Sequence, residues 1–168
     1  ASPDPHLDVA PDGAHIVFAA SQVNATDLDL YHAYRPDGHA SWMTPTVVVT
    51  HAQVAVVGRD EGIRVRSPQV AVASDGATVH VVWDQQPGGP LSRSIWHISG
   101  TLTLQGPQWH EPELLSNPAH NAVLPALAAG PGGAIHVIWS QTIGPISEPS
   151  EQYIRYCRLP GCTNSAVL

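Results

Sequence analysis

A phrase that this chain writes three times restricts its fold more than any other feature: a glycine turn, one or two small residues, then a histidine within an apolar run that closes on an aromatic. The copies are Asp12-Gly13-Ala14-His15-Ile16-Val17-Phe18, Asp75-Gly76-Ala77-Thr78-Val79-His80-Val81-Val82-Trp83 and Gly132-Gly133-Ala134-Ile135-His136-Val137-Ile138-Trp139. His15 and His80 are 65 residues apart and His80 and His136 are 56 apart, so one supersecondary unit of about sixty residues recurs along the chain. Self-similarity at that period predicts stacked copies of one small sheet, because a single copy cannot bury its apolar face alone.

The rest of the composition agrees with an all-β chain. Of 168 residues, 14 are glycine and 16 proline, residues that punctuate strands and are rare inside long helices. No segment keeps a helical period. The second unit serves as the ruler. Pro68-Gln69-Val70-Ala71-Val72-Ala73 reads as a first strand, Ser74 to Ala77 as a turn and Thr78 to Asp84 as a β-branched second strand. After the loop Gln86-Pro87-Gly88-Gly89-Pro90, a third strand is predicted around Ser94 to Ser99 and a fourth over Gln108 to Leu115. The first unit repeats this order with Pro5 to Ala10, His15 to Ala19, Asp29 to Tyr34 and Ser41 to Pro45, its Trp42-x-x-Pro45 matching Trp109-x-x-Pro112. An added stretch, Thr46 to Arg66, contains the alternating run Val54 to Val57. The third unit offers Leu124 to Ala129, Ala134 to Gln141 and Gln152 to Cys157, and no Trp-x-x-Pro follows. The predicted organisation is one partial repeat domain: a first blade over residues 1–66, a second over 67–122 and a third over 123–168 with its outer strand missing.

Four-stranded units with a glycine turn before a His-Val-Val-Trp strand, an aromatic third strand and a later Trp-x-x-Pro resemble the blades of sialidase-like β-propellers. The resemblance spans nearly the whole chain. It implies a ring, usually of six blades about a central channel, of which three would be half. It also implies, for a hydrolase, three arginines converging on a carboxylate, a Tyr/Glu pair and an acid; Arg35, Arg93, Arg155, Tyr31, Tyr156 and Glu111 are the residues available. The chain departs from the family at its motifs. Ser74-Asp75-Gly76-Ala77-Thr78 lacks the spacing and tryptophan of a Ser-x-Asp-x-Gly-x-Thr-Trp box, and Arg35-Pro36 is the nearest echo of an Arg-Ile-Pro start. What carries over is the fold, and hydrolase activity does not follow.

Charge and motif content narrow the partners. All seven cations are arginines, and the formal net charge is −7, so nothing favours a phosphate backbone or an anionic membrane surface. No apolar run is long enough to span a bilayer. Gly-x-Ser-x-Gly, Walker and dinucleotide motifs do not occur, and a chain without lysine forms no Schiff base. The ten histidines show no zincin spacing. His15, His80 and His136 fall in separate units, so each is read as a structural imidazole in a polar niche between sheets, with Phe18, Trp83, Trp139, Trp42 and Trp109 as the other repeat landmarks. Asn24 to Asp29 reads as a solvated loop in preference to a calcium site, and carries a glycosylation sequon. No metal or cofactor is expected.

Cys157 and Cys162 flank Arg-Leu-Pro-Gly, a reversal able to bring two sulfurs within bridging reach, and a disulfide would imply an oxidising compartment. The alternative is two free thiols in a reducing one. The leading functional expectation is a non-catalytic, secreted or extracytoplasmic module that binds a protein or glycan through loops between second and third strands, Gln85 to Arg93 and Ile143 to Glu151, with Arg93, Arg155, Glu148 and Glu151 as candidate contacts. Two rivals stand beside it: a sialidase-type hydrolase active only in a completed ring, and a purely structural assembly subunit. Assembly is expected either way, as a homo-oligomer or with the remainder of a longer propeller chain.

Overall fold

A computed structural model of the chain describes residues 5–20, 29–50, 64–86, 92–143, 151–162 and 166–167. They form an all-β, propeller-type array of three antiparallel sheets. The first holds β1 (His6–Ala10), β2 (Gly13–Ala20), β3 (Asp29–Pro36) and β4 (Thr46–Val49) in that order. The second holds β5 (Arg64–Val72), β6 (Thr78–Gln86), β7 (Ser94–Thr103) and β8 (Gly106–Trp109), with β9 (Glu113–Leu114) also on β7. The third holds β10 (Asn121–Ala129), β11 (Ile135–Ile143), β12 (Glu151–Leu159) and β13 (Ala166–Val167).

Turn chemistry sets the β1–β2 and β5–β6 hairpins. Gly13 has φ +146°, and a Cβ there would lie 2.2 Å from the Arg35 carbonyl oxygen, so only glycine lets β3 close on this turn. In the second sheet Asp75 accepts from the N–H groups of Ala77 and Thr78 at 2.8 and 3.2 Å, an Asx turn that reverses the chain before β6. Ser74 of that turn accepts from the Gly133 N–H at 2.8 Å and so ties two neighbouring blades.

Three strand expectations are corrected. The Trp-x-x-Pro segments are not continuous outer strands: β4 starts after Pro45, and in the second sheet the single expected strand divides into β8, which ends on Trp109, and β9, which starts after Pro112. Proline has no N–H for the ladder, so pairing resumes at the next residue. The third sheet does have an outer strand, a stub in which Ala166 and Val167 pair with Tyr156 and Arg155. The inner strands β5 and β10 also start earlier than the predicted boundaries, and each contains a bulge, between Arg66 and Gln69 and between Val123 and Ala126. The run Val54 to Val57 lies outside the described residues.

Strand alternation gives each blade two distinct faces. In the second sheet one face carries Val79, Val81 and Trp83 with Ile98 and Trp109; the other carries His80, Val82 and Asp84 with Ile95 and His97. The tryptophan face packs on the first sheet, in a core of Val17, Ala19, Leu30, Val48 and Val49 against Val65, Val70, Val72, Val79, Val81, Trp83 and Ile98. The histidine face packs on the tryptophan face of the third sheet, where Ala73, Val82, Ile95 and Leu115 meet Ala122, Ile135, Val137, Trp139, Cys157 and Leu159. Trp83 and Trp139 are fully buried, and each indole N–H donates to the glutamine two residues on, Gln85 and Gln141.

Candidate functional site

The loop end of the second and third blades combines a buried carboxylate, an arginine and two strained backbone positions. Asp84, near the end of β6, is wholly buried. Its Oδ2 accepts from the Leu124 N–H at 3.3 Å, and the Ser67 side chain also bonds it. Ser67 and Leu124 have φ of +46° and +55°. Each precedes a proline and lies in the bulge of an inner strand, so one carboxylate stabilises left-handed backbone in its own blade and in the next. Such conformations cost on the order of 1–3 kcal/mol and persist only where the surroundings hold them.

The Arg93 guanidinium approaches Asp84 Oδ1 to 3.7 Å, an oxygen that is buried and has no hydrogen-bond partner among the described residues. Burial raises the Asp84 carboxyl above the usual range, against the opposing pull of Arg93. The Arg93 main chain is fixed as well: its N–H donates to Asn121 Oδ1 at 3.0 Å, and its carbonyl accepts from the Ala122 N–H at 2.9 Å. The result is a partly exposed guanidinium of set direction where the β6–β7 connection returns to the sheet. Neither Asp84 nor the two bulges was singled out in the sequence. Ser67-Pro68 and Leu124-Pro125, recurring at the starts of equivalent strands, were the signal available.

The other candidate contacts disperse. Arg155 is the cross-strand partner of Trp139 on β11 and so shares the tryptophan face of the third blade. Glu151 accepts a hydrogen bond from the Tyr153 hydroxyl, which raises the phenol above its ordinary value. Glu148 and residues 144–150, residues 87–91 of the other predicted loop, and residues 21–28 with most of the Asn24 to Asp29 segment lie outside the described residues. Arg35 pairs with Ala14 beside the β1–β2 turn and lies over the Trp42 ring, 5.3 Å from its centre. That is the blade end opposite to Arg93, so the three arginines do not converge. Tyr31 stacks on Phe18, Tyr156 bonds His136, and Glu111 is exposed between β8 and β9.

The repeated histidines each meet a partner diagonally across β2–β3, β6–β7 or β11–β12. His32 Nε2 bonds His15 Nδ1 at 3.0 Å, and His15 Nε2 donates to Asp12 at 3.1 Å. His80 Nδ1 donates to His97 Nε2 at 3.0 Å, and His97 Nδ1 to Glu113 Oε1 at 2.7 Å. In the third blade the partner is the Tyr156 hydroxyl, 2.8 Å from His136 Nδ1. Burial, then the neighbouring ring, lowers His32 to about 3 and His80 to about 4, so both are neutral at physiological pH. Trp109 lies edge-on to His32 across the first junction. In the third blade, which has no such tryptophan, the turn closed by the Cys157–Cys162 disulfide faces β9, leaving a cleft of about 400 Å³ between Glu113, Ser116, Asn117 and Cys162. Among the described residues no three histidine, cysteine or acidic side chains form a metal-holding group.

The chain matches no family model and no curated protein sequence. Solved structures do match in fold. They include the polysaccharide lyase Uly1 (TM-score 0.63, 9% identity, 98% of this chain and 40% of that one) and an inulosucrase from Halalkalicoccus jeotgali bound to kestose (0.57, 11%, 99% and 52%). A thermostable family-43 glycoside hydrolase is a third (0.54, 13%, 98% and 56%). At these identities the likeness is one of fold, and this chain spans about half the length of the structures it resembles.

Proposed function

We propose that this chain is the blade-bearing part of a secreted, sialidase-like carbohydrate-recognition propeller that holds a saccharide without transforming it. The observation that carries the reading is Arg93: a guanidinium oriented by a buried carboxylate, on a backbone tied to the next blade. A sugar hydroxyl or carboxylate that accepts from it meets a donor already ordered, so little conformational entropy is lost on binding. The three neighbouring structures all act on carbohydrates by their names, and the disulfide accords with an extracytoplasmic location. The first of these supports a saccharide over a protein ligand, and the second supports secretion.

A glycan array followed by calorimetric titration of the best saccharide tests it. Arg93→Ala is expected to bind about tenfold to a hundredfold more weakly, the worth of a charge-assisted hydrogen bond, with circular dichroism unchanged. Silence across the array at millimolar saccharide removes the proposal.

A hydrolase reading draws on Asp84, since burial raises its carboxyl and glycosidase acids are made by the same kind of upward shift. Its full burial favours the positioning role. Turnover of a fluorogenic glycoside that Asp84→Asn abolishes would reverse that choice.

A further inference from the structure

Both blade junctions within the chain obey one rule: the histidine face of one blade receives the tryptophan face of the next. Two faces are left over, and they are of opposite kind. The first blade shows its Phe18 face, the counterpart of the tryptophan face. Leu7 and Val9 there are 53% and 70% exposed beside half-buried Ile16, Phe18 and Tyr31. The third blade shows its histidine face, with Ile138 and Ile154 at 41% and 44% exposure beside the His136–Tyr156 pair.

From this complementarity we infer that a second copy of the chain closes the arc, with the Phe18 face of each copy seated on the Ile138 face of the other. The contact continues an interface the chain already makes twice. Trp109 shows the detail to be repeated. It projects from the tryptophan face of the second blade and meets His32 of the first edge-on. Trp42, the matching residue of the first blade, is 40% exposed beneath Arg35 on the Phe18 face. In the closed assembly Trp42 of the partner subunit covers the His136–Tyr156 pair. A twofold axis makes the two new junctions identical and leaves no blade face open. It also doubles the amount of chain, which brings the assembly to about the length of the structures that share this fold, since the single chain covers 40–56% of them. The inference stands independently of the saccharide reading.

Sedimentation velocity and light scattering on the isolated 168-residue chain test it at micromolar concentration, where a dimer is expected. Phe18→Asp and Ile138→Asp should each weaken self-association by roughly 30-fold or more, as loss of a central interface contact does. An equimolar mixture of the two variants should recover a heterodimer, because one intact Phe18 face then meets one intact Ile138 face. Leu7→Asp and Ile154→Asp probe the same faces at more exposed positions, should either first variant fail to fold. A monomeric wild-type chain, an open-ended polymer, or a dimer that survives Phe18→Asp would overturn the inference. The first of these outcomes would assign the open faces to blades of a longer polypeptide.

Discussion

His80 shows how one residue ties stability to pH. Its imidazole is lowered to about 4, mainly by burial and next by His97, whereas in the unfolded chain it ionises near the ordinary value of about 6.5. The unfolded state therefore binds more protons between those values, and stability, complete above about pH 6.5, falls as pH drops toward 4. His32 extends the loss to about 3. Glu113, whose carboxyl is held down by the His97 N–H, adds to it at the acid end. Asp84 acts oppositely: its raised carboxyl makes burial of the charge costly at neutral pH, a cost relieved by protonation. His6, His15, His32 and His80 are all lowered by burial and act in one direction against a single raised carboxyl, so the urea midpoint should be lower at pH 4.5 than at pH 7.5. His80→Gln, which keeps a donor toward His97, should flatten part of that slope. Equal midpoints at the two pH values would contradict neutral buried imidazoles.

The elements that sequence reading placed well are those whose hydrophobic alternation is complete. β2, β6 and β11 each combine a turn, a histidine that is buried in β2 and half-buried in β6 and β11, and an aromatic residue, and local pattern suffices for them. The outer strands were misplaced because they are two to four residues long and carry no alternation to read. Trp42 precedes β4 whereas Trp109 ends β8, so the shared Trp-x-x-Pro does not mark the same point of the two outer strands. The turn after β12 is an element of its own, closed by Cys157–Cys162 at the place where the other blades continue to a Trp-x-x-Pro. Closing so short a loop is worth about 2 kcal/mol in the chain-entropy account. Cys157→Ser with Cys162→Ser is expected to cost that much in equilibrium denaturation while leaving the far-ultraviolet spectrum all-β. A null effect under oxidising conditions would show that packing alone holds the turn against β9.

At the scale of the whole molecule, three blades stacked in one direction necessarily end in two unlike faces. The inferred dimer would bury both and so link stability to concentration: the melting temperature should rise as the chain is raised from low to high micromolar concentration, by mass action. In the Phe18→Asp variant it should not move. A concentration-independent midpoint in the wild-type chain would mean that the faces remain exposed in solution. The same stacking places Arg93 and Asp84 where the second blade meets the third, so the candidate site is a property of the junction and of neither blade alone.

The sequence by itself determined the repeat, the all-β class and the alternation that buries Trp83 and Trp139, because each follows from residues within one hairpin. It also put the two cysteines five residues apart, within reach of each other, and the structure chose the disulfide over free thiols. Only the tertiary structure decided that Asp84 reaches Ser67 and Leu124, that Arg35 and Arg93 lie at opposite blade ends, and that each histidine finds a partner on the next strand. The contacts among these join residues separated by 17 to 40 positions in the chain. Which residues meet at such separations depends on strand register and on the stacking of one sheet against another, and no local pattern encodes either.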